Sequence, residues 1–540
     1  MIDFQTEPAR YRHWKLGFDG AIATLTMDVD AAAPLLGGYE LKLNSYDLGV
    51  DIELADAVQR LRFEHPEVRC VVLRSAKDGV FCAGANIRML AKATHGHKVN
   101  FCKFTNETRL AIEDASAHSG QRYLAAISGS AAGGGYELAV TADHVMLIDD
   151  RRSTVSLPEL PLLAVLPGTG GLTRLTDKRR VRRDLADLFC TTEEGVRGRR
   201  AEQWRLVDEV VPPSGWDARV QARAHLMAEQ SDRPDGPGIV LTPLDRQITS
   251  DGMHYQHVGV VFRRAERRAE LTVRGPNAVP GDVAGIHAAG AGFWPLALAR
   301  ELDDALLHLR LNEPALGVLV LRSQGDPAAV LACDALLESH AGDWLVREVR
   351  LLLKRLLKRL DMTARSLVAL LEPGSCFAGS LAEIVFAADR SLMFAGDDTA
   401  LWLSGLNFHP LPMGNGLTRL ENRFYGEPDS LVAARSRLGE RLDADTAEAL
   451  GLVTFAYDET DWDDEVRLLL EERASFSPDA LTGLEANLRF VGPETMETRI
   501  FGRLTAWQNW IFIRPNAAGE GGSLKRYGSG ERPDFDPERV

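Results

Sequence analysis

Two glutamates and two glycine-bearing turns in the first half of the chain are the residues whose types and spacing could do chemistry. Glu159 stands between Pro158 and Pro161 in SLPELPLLAVLPGTGGLTRL (Ser156–Leu175), a loop-like stretch with mainly apolar neighbours. Such surroundings raise a carboxyl pKa, which suits a general acid or base; a solvated loop residue is an equal reading of this segment alone. Glu137 closely follows three glycines in SAAGGGYELA (Ser130–Ala139). By itself it reads as a first-turn carboxylate matched to the helix dipole. The glycine run and FCAGANI (Phe81–Ile87) both turn from a strand into a helix. A turn of this kind leaves the first N–H groups of the helix unpaired, and glycine removes the Cβ that would hold a substrate away. Two such turns facing one another could aim two N–H groups at one oxygen, an oxyanion hole, with two carboxylates moving protons beside it. Each turn alone reads more simply as tight packing, and the glycine run is not the GxGxxG of dinucleotide sites. Cys102 lies in KATHGHKVNFCKFTNETRLAIEDAS and is a third candidate, although a buried cysteine is ordinarily a small packing residue. His95 and His97 flank a glycine and read as surface residues.

The elements that must position these groups are short β-branched runs alternating with amphipathic helical stretches. GAIATLTMDV is followed by ELADAVQRLRF, VRCVVLRS and a helix from about Ile87. Alternation of this kind predicts βαβ units and an α/β fold. The chain also repeats itself at a spacing near 246 residues. CVVLRS (Cys70–Ser75) is answered by GVLVLRS (Gly317–Ser323), and Tyr123–Asp143 by Ser366–Asp389. PGTGGLTRL is answered by PMGNGLTRL (Pro412–Leu420), and AEQWRLVDEVV (Ala201–Val211) by AEALGLVTFAY (Ala447–Tyr457). Expected domains are therefore residues 1–245, a Pro/Gly-rich linker over 246–291 with a helical stretch near Val258–Thr272, a second module over 292–515, and an extended tail over 516–540.

Bulk properties narrow the class. A length of 540 residues accommodates two or more cores, and a net charge of −15 argues against nucleic acid as the main partner. The Lys178–Arg183 and Arg263–Arg268 clusters read as solvated helix faces, with phosphate binding as the alternative. No 18-residue apolar run or signal-peptide pattern occurs, and no membrane role is expected. Six scattered cysteines without CxxC spacing predict reduced thiols, no structural metal and a cytoplasmic location.

From about Ile22 to Val211 the ordered motifs FCAGAN, GGGYELA and SLPELPLLAVLPGTGG resemble the crotonase (enoyl-CoA hydratase/isomerase) superfamily. The resemblance implies a ββα-repeat spiral as the first module and a degenerate crotonase-like copy as the second, with helical segments. It implies a CoA-thioester substrate, whose carbonyl oxygen is bound by the backbone N–H groups of Ala85 and Gly134, with Glu137 and Glu159 as the catalytic pair. Ala83, Gly84 and Gly133 then line the substrate, Lys42 in GYELKLNS matches a CoA-contacting stretch, and Cys102 falls in the segment that lines the acyl pocket. Asn86 stands where the family usually has aspartate. The resemblance also implies no cofactor beyond the CoA of the substrate, and a homo-oligomer, a dimer being favoured. The doubled length and the YELKLNSYDLGVDIELADA and NFCKFTNETRLAIEDAS stretches are similar to a branch that opens 2,3-epoxy-2,3-dihydrobenzoyl-CoA with two waters. Its products are 3,4-didehydroadipyl-CoA semialdehyde and formate, in aerobic benzoate degradation. The alternatives are an enoyl-CoA hydratase or related acyl-CoA hydrolase and, from another class, a non-catalytic acyl-CoA-binding scaffold. In the second half Glu383 answers Glu137, but Ser404 stands at the Glu159 position and neither oxyanion pattern survives.

Overall fold

A computed structural model describes residues 1–540, which divide into two compact units: Phe4–Leu241, and Thr242–Val540 together with Met1–Asp3. In the first, β1 (Trp14–Asp19) and β2 (Ile22–Met27) form an antiparallel hairpin. From β2 the sheet continues in parallel through β3 (Cys70–Ser75), β5 (Arg122–Ile127), β7 (His144–Ile148) and β9 (Glu209–Val211). A smaller parallel sheet joins β4 (Val80–Cys82), β6 (Ser130–Ala132) and β8 (Val155–Ser156). Strands buried on both faces explain the near-continuous apolar runs CVVL and YLAAI. One face, with Ile22, Cys70, Val72, Leu124, Ala126 and Met146, packs against Trp216, Val220, Ala224 and Met227 of the helix Trp216–Glu229.

Three helices frame the loops that carry the candidate residues. Helix α1 (Leu48–Phe63) starts at Asp47, whose side chain accepts from Gly49 N and Val50 N. Helix α2 (Ile87–Lys92) follows the FCAGAN turn, and α3 (His95–His118) buries Phe101, Phe104, Thr105, Thr108, Ile112 and Ala115 at helical spacing.

The second unit repeats this topology. β10 (Gln247–Ile248), β11 (Gly252–His254), β12 (Val258–Arg263) and β13 (Arg268–Arg274) form an antiparallel meander. From β13 the sheet is parallel through β14 (Val318–Gln324), β15 (Ser366–Leu371), β16 (Arg390–Phe394) and β17 (Phe455–Tyr457). Thus β12–β13 occupy the place of β1–β2. Val318, Val320, Val368, Leu370 and Leu392 pack on Trp462, Leu469 and Leu470 of the helix Trp462–Ser475, as the corresponding strands of the first unit pack on Trp216–Glu229.

This corrects the expected boundaries. Val258–Thr272 is a pair of strands, not a helix, and residues 246–291 are not a linker but carry the opening strands of the second module. Burial along β13 alternates through Ala269, Leu271 and Val273, a period of two. The charged run Arg263–Arg268, which suggested a helix face, bridges the hairpin, with Arg267 at φ +54°. The tail is also not simply extended. It contains short helices at Pro515–Ala518 and Ser523–Arg526 before an irregular stretch, and Arg539 is buried, donating to Ala364 O at 2.9 Å. No helix is long and apolar enough to cross a membrane.

Candidate active site

The two turns expected to bind an oxyanion face each other in the first unit. The first runs from β4 through Ala83, Gly84, Ala85 and Asn86 into α2; the second runs from β6 through Gly133 into helix α4 (Gly134–Ala139). A Cβ on Gly84, whose φ is +87°, would lie 2.7 Å from Ala132 O and 2.9 Å from Gly134 N, so only glycine permits this approach. Tyr46 fastens the first turn: its N–H donates to Gly84 O (3.0 Å) and its carbonyl accepts from Asn86 N (2.8 Å). That pairing leaves the Ala85 N–H without an acceptor in the protein, and the Gly134 N–H likewise has none. Behind them, the buried guanidinium of Arg109 donates to Gly134 O and to the Tyr46 hydroxyl, both at 3.2 Å.

Asn86 caps α2 by accepting from Met89 N (2.9 Å), a bond aspartate could also make. Its amide additionally donates to Glu40 O (2.8 Å) and Ser45 Oγ (3.0 Å), which an ionised aspartate cannot do. The departure from the family's aspartate therefore ties the turn to residues 40–45.

The carboxylates have opposite surroundings. Glu137 is buried on α4, and its Oε1 accepts from Thr169 N (3.0 Å) and Gly171 N (2.7 Å) while Oε2 accepts from the Thr169 hydroxyl. All its partners are donors, and they fix the carboxylate in one orientation. Glu159 opens a short helix, α5 (Glu159–Leu163), rather than lying in a loop. Its Oε2 is buried with no hydrogen-bond partner. Burial first, and then the charge of Glu137, push its pKa up to about 7. A Cβ on Gly133 would lie 2.6 Å from Glu159 Oε1, so this carboxyl sits directly against the second turn.

Cys102, half-buried on α3, lies near Gly168 on the loop that holds Glu137: a Cβ on Gly168 would be 3.9 Å from its Sγ. Burial, then Glu137, push the thiol up to about 11, so it is a neutral S–H at physiological pH. Ala83 is exposed at the rim of the first turn, and Gly84 and Gly133 are buried between the turns. Lys42 lies on the short turn Lys42–Asn44 beside the first turn, where Leu43 O accepts from Ala83 N at 3.1 Å, and its exposed side chain pairs with Glu40 at 2.9 Å. Tyr46, Arg109 and Thr169 were not legible as site residues. Their roles depend on contacts between distant segments, such as Tyr46 with Gly84, Arg109 with Gly134 and Thr169 with Glu137.

A cavity of about 1210 Å³ in the second unit, lined by Leu484, Leu488, Ile500, Leu504, Trp507 and Ile511, includes none of these groups. No cluster of three or more His, Cys, Asp or Glu side chains is arranged as a metal site.

Two glycine turns in close approach, with the Ala85 and Gly134 N–H groups unpaired and two glutamates beside the second turn, are the arrangement that the crotonase resemblance implies. Residues 40–234 match the Enoyl-CoA hydratase/isomerase family. The chain is 56% identical over 544 residues to the Benzoyl-CoA-dihydrodiol lyase of Aromatoleum evansii, covering 100% of this chain and 98% of the relative. It is also 32% identical over 197 residues to the fatty acid oxidation complex subunit alpha of Shewanella loihica, covering 36% of this chain and 26% of that protein. A solved enoyl-CoA hydratase from Geobacillus kaustophilus HTA426 aligns with 41% of this chain and 75% of its own, at 29% identity and a TM-score of 0.36. The chain belongs to the crotonase superfamily, in the family of the benzoyl-CoA-dihydrodiol lyase that it matches from end to end.

Proposed function

We propose that this chain is a ring-opening lyase acting on 2,3-epoxy-2,3-dihydrobenzoyl-CoA, adding two waters to give 3,4-didehydroadipyl-CoA semialdehyde and formate. The observation that carries the reading is the full-length 56% identity to a benzoyl-CoA-dihydrodiol lyase, which spans both modules rather than the crotonase motifs alone. In this reading the Ala85 and Gly134 N–H groups receive the thioester oxygen, where each donor stabilises developing negative charge by about 3 kcal/mol. Glu137, met only by donors, takes a proton from water. Glu159, raised to about 7 and so still partly protonated at neutral pH, gives one to the ring oxygen that must leave carbon. Cys102 serves as a neutral wall of the acyl pocket, Ala83, Gly84 and Gly133 line the acyl group, and Lys42 meets the CoA nucleotide.

Among the alternatives, an enoyl-CoA hydratase would use the same pair of glutamates, so substrate comparison separates them. The kcat/KM for formate release from the epoxide is expected to exceed that for crotonyl-CoA hydration by about 10²-fold or more, the scale on which positioning distinguishes substrates. Comparable rates on the two thioesters would sink the ring-opening reading. A scaffold would turn over neither.

Water addition with two carboxyls and two N–H donors asks for no further electrophile, so no cofactor beyond the CoA of the substrate is part of the proposal. Full activity is expected after exhaustive dialysis against a chelator without added nicotinamide or flavin; loss restored by a metal would contradict it. A homodimer in the cytoplasm completes the reading. Exposed Leu160, Leu162, Val165 and Leu166 beside Glu159, and Phe501, Leu504 and Phe512 in the second unit, support self-association. Six unpaired cysteines suit a reducing compartment. Sedimentation velocity should give the mass of two chains, and a monomer at micromolar concentration would remove the dimer from the proposal.

A further inference from the structure

In the second module the turn that answers SAAGGGYELA is CFAGSLAEIV, which ends at Val385. Gly379 there has a φ of +46°, close to the +53° of Gly133, and Ser380 takes the repeat position of Gly134. The Ser380 N–H is not open to a substrate. It donates to Asp334 Oδ2 at 2.7 Å, and the Ser404 hydroxyl donates to the same oxygen at 2.9 Å. Asp334 has no exposed surface, its Oδ1 has no hydrogen-bond partner, and a Cβ on Gly379 would overlap its Oδ2.

The origin of Asp334 sharpens the comparison. It projects from the helix Pro327–Ser339, which contains VLACDAL, the segment answering FCAGAN. In the first module that segment presents the N–H of Ala85; in the second it presents a carboxyl. Glu338 of the same helix also stands beside the cradle, where a Cβ on Gly405 would overlap its Oε1, while Glu383 is held by Arg419 at 2.9 Å and Asn407 at 2.7 Å, and Arg419 is shared with Asp361 at 2.6 Å. Glu383 is thus tied into a buried ion network. Burying a carboxyl with one oxygen unmet is unfavourable unless its other oxygen is well served, and here a backbone N–H and a hydroxyl converge on that oxygen. Convergent donors of this kind are what an oxyanion site offers its ligand.

We propose that the second module retains part of an oxyanion cradle specific for carboxylates, and that Asp334 is its tethered occupant, holding it shut. The Ser380 N–H and the Ser404 hydroxyl are the cradle, and a small free carboxylate is the ligand it takes once Asp334 is removed.

The test is thermal melting of the full-length Asp334→Ala variant in sodium chloride, sodium acetate or sodium formate at equal ionic strength. In chloride the variant should melt about 5 °C below wild type, because two donors and a space are left unfilled. At roughly 0.1 M acetate or formate the variant should regain about 2 °C or more, while wild type melts alike in all three salts. Adding Ser404→Ala should weaken the recovery by removing one donor. Should Asp334→Ala not fold, Asp334→Ser leaves a smaller space and carries the same comparison. A folded variant that responds to acetate and formate no more than wild type does would overturn the proposal. So would full recovery in the double variant.

Discussion

Glu159→Gln lowers kcat by about 10²-fold or more while leaving the fold and binding of the CoA ester nearly intact, the usual scale for loss of a general acid. The amide has nearly the shape of the acid it replaces. Its setting, with Oε2 buried and unpartnered and Oε1 against Gly133, places no structural demand on a carboxylate. The pH dependence carries the more specific signature. Burial and Glu137 raise the Glu159 pKa to about 7, so the protonated form that the mechanism needs is present below that pH and lost above it. Wild-type kcat should therefore fall as pH rises through about 7, and the residual rate of Glu159→Gln should be flat across the same range. A variant with wild-type kcat, or one that keeps the alkaline limb, would remove Glu159 from the acid role.

Glu137→Gln is expected to lower kcat by a similar factor, about 10² or more, for the opposite reason: it removes the proton acceptor. The variant can keep its local bonds. The amide oxygen can accept from Thr169 N and Gly171 N, and the new NH₂ can donate to the Thr169 hydroxyl, which accepts as readily as it donates. Loss of activity then reports chemistry rather than collapse. A second readout separates this from a general disturbance. Since the charge of Glu137 helps to raise the Glu159 pKa, neutralising position 137 should move the alkaline limb of the residual activity to lower pH. A wild-type rate, or a limb that does not move, would contradict the coupling between the two carboxyls.

The parts of the site that were legible in the sequence are those whose chemistry is local. A glycine run entering a helix and a carboxyl between prolines announce themselves within ten residues. So did the repeat, because parallel strands such as β3 and β14 need nearly continuous apolar runs wherever they occur. What was not legible depends on contacts made across the chain. Tyr46 is distant in sequence from Ala85 yet fixes its turn through two backbone bonds. Arg109 reaches Gly134 only because α3 packs beneath the second turn. The start of the second module was misread because the charges of RRAERR mask the period-two burial of β13. At the FCAGAN position of the second half a helix carries the Asp334 carboxyl back to the Ser380 N–H, a contact across 46 residues that no local pattern announces.

The most direct measurement is the amount of formate released per mole of 2,3-epoxy-2,3-dihydrobenzoyl-CoA consumed, by the intact chain and by the Glu137→Gln/Glu159→Gln double variant. Equimolar formate from wild type, and none above the uncatalysed blank from the double variant, is the predicted result. Substrate consumed without formate would make this a simple hydratase, and formate released equally by the double variant would place the chemistry outside the two glutamates.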